Sequence, residues 1–355
     1  MKCLVSTVIL LAAAAVFCQQ QKPFTIGAIE FYGLDGIDVK VVRETLPVKQ
    51  GDEFSPASKK ELVGRVKKAI RETTGYEPSD VAPVCCDNNG RVIIYIGLRS
   101  KSVRQTRYNT PPRGSDRLPP AAINLYRDVE TAWLNAMKKG VTGEDDSQGY
   151  ALSLDPEARN KQLELHAYVA GHASMVRRVL TSARNVEQRQ IAAEMLGYAD
   201  RSPEQIAALI RASHDVDDGV RNNAIRALMV LARSSAESAA MIHGECFVSL
   251  LNSGIWTDRN KSAELLSALT VQRDPRLLTC LRQQALTSLV EMARWSNPGH
   301  ADSARVMLGR IAAIDDRTLG DMLERKDDEA IINAVTTQKN KTDAAQRCLP
   351  CTTLK

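Results

Sequence analysis

The chain has 355 residues, of which 44% are hydrophobic and 25% charged, enough to build a sizeable buried core. Its net charge of +5 is the balance of 47 basic and 42 acidic residues, a modest value that does not give the concentrated basic surface expected of a dedicated nucleic-acid-binding protein. Aromatic side chains make up only 5% of the chain, a composition that favours helices over a sandwich or barrel.

The first residues are typical of a secretory signal. Lys2 precedes the uncharged apolar run 4–17, which ends abruptly at the glutamines that begin with Gln19. The run is shorter than the roughly 20 residues that a membrane span requires. We therefore expect residues 1–18 to be removed on export to the periplasm or cell envelope, with no transmembrane span afterwards. Retention as a lipoprotein anchored at Cys18 and a cytosolic location are the alternatives.

Residues 24–99 are predicted to form a small α+β domain in the order β-α-α-β-β. Asp38 can cap a short first helix, and the segment 58–61 (SKKE) has the form of a capping box ahead of a longer one. Asn89-Gly90 predicts a tight turn between two closing strands.

With its segments IEFYGLDGID, LPVKQGDEFS and GRVIIYIGL, this domain resembles a polypeptide-transport-associated (POTRA) domain. The resemblance implies a protein that works outside the cytoplasmic membrane. It also implies binding of peptides or partner domains, often by addition of a strand to the sheet edge. An unrelated small α+β domain is the alternative.

The segment 100–120 combines Arg104, Arg107, Arg113 and Arg117 with paired prolines, which indicates a stiff linker without regular structure. We expect a solvated spacer that its charges keep extended. Contact of these basic side chains with an anionic surface, such as lipid head groups, is the alternative.

Residues 121–336 are predicted to be helical, and a short motif recurs along them: an Arg, a small residue three places on and a Leu four places after that. The small residue and the Leu lie on one helical stripe. Recurrence of such a motif at intervals of roughly 30–40 residues is typical of stacked helical hairpins. We expect each arginine to bridge to the aspartate of the next hairpin, which is a structural role. The motif begins at Arg189, Arg221, Arg259 and Arg282.

The clearest unit is EQRQIAAEMLGYADRSPEQIAALIRA followed by DDGVRNNAIRALMVLA, and it resembles HEAT-like repeats of the bacterial short type. The resemblance implies a curved right-handed stack with a concave face available to a partner. An irregular helical bundle is the alternative. We expect Trp256 and Trp295 to be partly buried helix ends, with the anchoring of a partner as the alternative.

No sequence motif predicts catalysis, a cofactor or a metal site. The chain contains no nucleophile elbow, phosphate loop or His-Glu-x-x-His helix, and its five histidines are scattered. The acidic segment 144–146 does not have the spacing of a known calcium loop. We therefore expect a protein that is not an enzyme, with no catalytic or cofactor-binding residues and no bound metal.

The cysteines outside the signal are expected to form structural disulfides. Cys348-x-x-Cys351 lies in the polar tail 337–355, without the strand and helix that a redox motif requires. Because bonding between adjacent cysteines is strained, we expect Cys85 and Cys86 to have separate partners, with the tail cysteines as candidates. Cys246 and Cys280 are expected to form a third bridge or to be buried apolar groups. The disulfide candidates are Cys85, Cys86, Cys246, Cys280, Cys348 and Cys351.

Together these features predict a small α+β domain followed by an all-α HEAT-like solenoid. We expect a non-enzymatic scaffold or adaptor of the cell envelope that binds protein partners through the repeat and through the sheet edge of the first domain. The alternatives are a thiol–disulfide redox protein that uses Cys348 and Cys351, and a module that binds anionic surfaces through the basic linker.

Overall fold

The structure is a computed structural model that describes residues 24–34, 36–98, 106–337 and 348. The predicted signal 1–18, residues 99–105 and nearly all of the tail lie outside the described residues. The elements of the N-terminal domain are β1 (Phe24–Tyr32), α1 (Val39–Thr45), β2 (Glu53–Phe54), α2 (Lys59–Thr74), β3 (Asp80–Val84) and β4 (Val92–Gly97), with a 3₁₀ turn at Pro56–Ser58.

The four strands form one sheet in the order β2-β1-β4-β3. Strands β1 and β4 are parallel, with Phe31 opposite Ile96, and the outer pairs are antiparallel. Gly51, at φ +95°, turns the chain so that β2 pairs with the first two residues of β1. This short strand was not predicted, and the order along the chain is β-α-β-α-β-β.

The two helices of the domain begin in different ways. The side chain of Asp38 accepts a hydrogen bond from the backbone N–H of Lys40 and caps α1. The capping box predicted at residues 58–61 is not formed, because the Ser58 hydroxyl donates to the carbonyl oxygen of Ser55 and the helix is entered directly from the 3₁₀ turn.

Both faces of the sheet are buried. The side chains of Val92, Ile94 and Ile96 in β4 pack on one face against α1 and α2. The alternate residues Ile93 and Tyr95 belong to the core of the helical region instead. Because successive side chains of a strand point to opposite faces, this one strand joins the two parts of the molecule.

The helical region begins at Pro120 and contains a short hairpin of β5 (Glu144–Asp145) and β6 (Leu152–Ser153) between its first two helices. Short 3₁₀ turns lie at Gly244–Cys246, Val248–Asn252 and Thr270–Gln272. Its helices are α3 (Pro120–Lys138), α4 (Pro156–Ser182), α5 (Val186–Leu196), α6 (Pro203–Ala212), α7 (Asp218–Ser234), α8 (Ala236–Ala240), α9 (Trp256–Leu269), α10 (Pro275–Gln284), α11 (Leu286–Ala293), α12 (Pro298–Ile311), α13 (Asp316–Glu324) and α14 (Asp328–Thr336).

The helices stack in the serial manner of a helical-repeat protein. Helices α3, α5, α7, α9, α12 and α14 each contact the next member of this series and form one row, which we call the front row. Helices such as α4, α6 and α10 lie behind it. The small residues and leucines of the first three motif copies are fully buried between helices, at Ala192, Leu196, Ala224, Leu228, Ser262 and Leu266. Among the described residues, no helix is both apolar enough and long enough to cross a membrane.

Residues 106–119, which we call the strap, do not form the solvated spacer that composition predicts. The strap lies across the loops that lead into the front-row helices and runs opposite to the order of the helices. Several of its backbone and side-chain donors are satisfied there, as a packed irregular segment requires. In chain order its hydrogen bonds reach the carbonyl oxygens of Ser249, His214 and Ser182 and then the side chain of Gln188.

Candidate binding surface of the helical repeats

Buried arginines link each repeat to the next. Arg189 donates two hydrogen bonds to the carboxylate of Asp215, both at 2.8 Å, and two more to carbonyl oxygens of the loop before its own helix. Arg221 repeats this arrangement one hairpin later, with Asp258 at 2.7 and 3.0 Å. Each guanidinium therefore donates to carbonyl oxygens of the loop before its own helix and also pairs with an acidic side chain of the following repeat.

The series continues at Arg259, which pairs with Glu291 at 2.9 Å, and at Arg305, which pairs with Asp328 at 2.6 Å. The fourth predicted member, Arg282, lies in a different setting from the other three. A break between α10 and α11 separates Arg282 from the rest of its motif, and its guanidinium donates to a carbonyl oxygen of α14 at 3.2 Å. We call the series Arg189, Arg221, Arg259 and Arg305 the arginine ladder.

The ladder also holds the N-terminal domain. The carboxylate of Glu291 accepts hydrogen bonds from the backbone N–H groups of Gly33 and Leu34, at 2.9 and 3.0 Å. The same carboxylate pairs with Arg259, whose guanidinium lies over the ring of Tyr32 at 4.8 Å. The end of β1 is therefore fixed to α9 and α11.

Aromatic side chains fill the junction between the sheet and the repeats. Tyr95 stacks on Trp256 with ring centroids 5.1 Å apart and meets Trp295 edge-on at 4.8 Å. The two tryptophans are only 8% and 1% exposed, so neither is available to anchor a partner. The Tyr95 hydroxyl lies 2.6 Å from Nδ1 of His300, and burial lowers the pKa of this histidine to about 4.

The cysteines pair differently from the prediction. Cys348 of the tail is bonded to Cys280 in α10, not to the N-terminal domain, and Cys85 is bonded to its neighbour Cys86. Cys246 is disulfide-bonded as well, so it forms no bridge with Cys280. Cys351 lies outside the described residues.

A solvent-open pocket lies on the front row, where α3, α5 and α7 meet. We call it the front-row pocket; it has a volume of about 200 Å³, and its walls include Glu130, Trp133, Glu194, Asn223 and Arg226. Trp133 is 37% exposed, unlike the two buried tryptophans of the junction. An adjoining cleft of about 400 Å³ shares part of this wall and extends the surface toward the start of α5. The pocket therefore offers an aromatic surface beside groups of both charges.

The polar side chains of the front-row pocket are held by one another. Arg226 donates to the carboxylate of Glu144, while Tyr126 and Asn223 each donate to Glu194 at 3.4 Å. Burial raises the pKa of Glu194, although the positive charge of Arg226 opposes the shift. Such pre-positioned donors and acceptors around an aromatic ring are suited to binding a polar or charged side chain.

A second opening, the junction groove, lies beside β1 and has a volume of about 490 Å³. Strand β2 covers only Phe24 and Thr25 of the nine-residue β1, and the groove follows the uncovered part at residues 27–30. Arg43 and Lys326 contribute basic groups to its walls.

Among the residues that the structure describes, no three histidine, cysteine, aspartate or glutamate side chains are grouped to hold a metal ion. The exposure of Trp133 was not predicted from the sequence. The exposure depends on where the stack begins, since no further helix of the described chain covers this end of α3.

No protein-family model and no curated protein matches the chain. Among solved structures, it is similar to an engineered protein determined by the Northeast Structural Genomics Consortium, with 17% identity, a TM-score of 0.38 and coverage of 60% of this chain and 97% of that one. A designed armadillo repeat protein is similar at 16% identity and a TM-score of 0.36, over 52% of this chain and 95% of that one. The repeat architecture described above rests on the contacts of this chain itself.

Proposed function

We propose that this protein is a non-enzymatic scaffold that binds protein partners through the front row of its helical repeats. The observation that carries the proposal is the front-row pocket, where an exposed tryptophan lies among hydrogen-bonding groups that are already in place. Tryptophan in such a setting is among the residues that contribute most to protein–protein binding. The ladder ties α5 to the loop before α7, and such fixed positions lower the ordering cost of binding.

The junction groove is the second proposed contact of the scaffold. An extended partner segment there would lie along the part of β1 that β2 leaves uncovered, as in strand addition to a sheet edge. Export to the cell envelope and the resemblance to POTRA domains complete the proposal. Mass measurement of the mature chain tests removal of residues 1–18.

The redox alternative receives no support from Cys348, since this residue is bonded to Cys280 in α10. A thiol–disulfide catalyst of the Cys-x-x-Cys type would instead cycle between a bond of Cys348 with Cys351 and the free thiols.

Two matched variants test the proposal. Trp133 and Leu163 have the same exposed fraction, 37%, but Trp133 lines the front-row pocket and Leu163 lies on α4, behind the front row. In cross-linking pull-downs from intact envelopes, Trp133→Ala should lose the partner that the parent protein captures, and Leu163→Ala should retain it. Equal capture by both variants would contradict the proposal.

A further inference from the structure

The strap presents arginines on its outward side. Arg107, Arg113 and Arg117 are exposed, while Tyr108 and Leu118, which directly follow the first and the last of them, bond to the repeats. None of these three arginines forms an ion pair with another residue that the structure describes. Their charges are therefore turned to solvent along one edge of the molecule.

Two arginines of the repeats extend this line. The backbone N–H of Arg184 donates to Gly114 at 2.8 Å, and the carbonyl oxygen of Arg211 accepts from the Asn109 side chain at 2.8 Å, so both residues lie beside the strap. Both are exposed. We call Arg107, Arg113, Arg117, Arg184 and Arg211 the arginine row.

Nearby acids do not cancel the charge of the row. Asp116, the one acidic residue of the strap, is paired with Arg178 at 3.1 Å. Asp217 is occupied as the cap of α7. Asp218 next to it is exposed and sets one negative charge against the five arginines of the row, so the edge retains an excess of positive charge.

Apolar groups lie among these charges, and the edge is not hollow. Val186 at the start of α5 is 39% exposed, and Val216 in the loop before α7 is 45% exposed. The cavity beside Asn109 and Arg211 measures about 30 Å³, roughly the space of one water molecule. Such an edge cannot enclose a small anion and instead fits an extended anionic surface.

We propose that this edge docks on the surface of a bilayer that contains anionic phospholipids. Guanidinium groups match the geometry of phosphate oxygens, and a line of them adds electrostatic attraction residue by residue. The two valines would enter the boundary between head groups and acyl chains. This contact uses a different surface from the front-row pocket, so its success or failure is independent of the proposed scaffold function.

Co-sedimentation of the full chain with lipid vesicles tests the proposal. Vesicles that contain phosphatidylglycerol should bind the protein at low salt and release it as salt screens the charges, while pure phosphatidylcholine vesicles should not bind it. The triple variant Arg107→Gln, Arg113→Gln and Arg117→Gln should weaken binding on the order of a hundredfold.

A control triple removes the same charge elsewhere. Arg65, Arg276 and Arg317 are also exposed, and their replacement by Gln lowers the net charge of +5 by three, as the strap triple does. The control should keep nearly full binding. Equal losses in the two triples would overturn the proposal, because net charge alone would then explain the attraction.

Two further arms distinguish the source of the anionic groups and the role of the valines. Binding of soluble polyglutamate that depends on the arginine row, without binding to vesicles, would overturn the proposal in favour of an acidic protein partner. Val186→Ser with Val216→Ser should lower the part of vesicle binding that resists salt. Unchanged salt-resistant binding would contradict insertion and with it the docking geometry.

Discussion

The buried pair of Arg221 and Asp258 gives the sharpest stability prediction. Its two hydrogen bonds measure 2.7 and 3.0 Å, and the side chains are 2% and 0% exposed. Arg221→Met keeps much of the side-chain volume but leaves the carboxylate without its counterion. Loss of one partner of a buried pair costs roughly 3–5 kcal/mol. Because Tyr108 and Ser253 still donate to Asp258, at 2.9 and 2.7 Å, we expect the lower end of that range.

An exposed pair with nearly the same geometry provides the control. Arg294 and Glu329 are joined at 2.8 and 3.0 Å, but their side chains are 55% and 61% exposed. Arg294→Met should therefore cost less than about 1 kcal/mol. Urea unfolding followed by circular dichroism measures both free energies of unfolding. The slope of the free energy against urea concentration shows whether the variants expose the same surface on unfolding as the parent protein.

A double-mutant cycle completes this test. Asp258→Leu removes the other partner, and the variant that carries it together with Arg221→Met should lose about 2 kcal/mol less than the sum of the single losses. Additive losses, or an Arg221→Met cost no larger than that of Arg294→Met, would refute the assignment of the ladder as a coupled buried series.

Three other contacts have measurable consequences for stability. The Cys280–Cys348 bridge spans a sequence separation of 68 residues, so Cys280→Ser should lower the free energy of unfolding by up to about 4 kcal/mol; peptide mapping that found Cys348 bonded elsewhere would contradict this. Glu291→Gln leaves the buried guanidinium of Arg259 without a counterion, so we expect a loss of about 3 kcal/mol and faster proteolysis of the N-terminal domain, and unchanged cleavage would argue against the docking. Burial lowers the pKa of His300 from 6.5 to about 4, because the folded protein holds this side chain in its neutral form. The free energy of unfolding should therefore be unaffected by this histidine above pH 6.5 and should fall by up to about 3 kcal/mol as the pH is lowered toward 4. His300→Gln should remove this pH dependence in urea unfolding.

The helical repeats could be predicted because their signal is local. A small residue and a Leu on one stripe identify a buried face wherever a single helix carries both, as at Ala192 and Leu196. At Arg282 the chain leaves one helix and begins another within the motif, although Ala285 and Leu289 are still buried. Spacing cannot detect such a break, because Arg282 before it and Leu289 after it are both in helices.

The docking of the N-terminal domain was only partly visible in the sequence. The uninterrupted apolar run 92–96 in β4 is typical of a strand that is covered on both faces. What covers the second face depends on contacts between distant segments, such as Tyr95 with Trp256 and Trp295. The strap was missed for the same reason, since its prolines exclude regular structure without indicating where its hydrogen bonds go.

Disulfide connectivity follows from proximity in the folded chain and not from spacing. The Cα atoms of Cys280 and Cys348 lie 4.8 Å apart, within the range that a bridge requires. That proximity is created by the packing of α10, which the sequence does not reveal. The clamp predicted between the tail and Cys85 or Cys86 was therefore wrong, although the even number of cysteines did indicate bridging.

Photo-cross-linking in intact envelopes tests most directly whether the front row is the binding surface. A photoreactive residue at position 133 should give one discrete protein adduct, and the same residue at position 163, equally exposed but behind the front row, should not. The same adduct from both positions, or no protein adduct from position 133, would contradict the account.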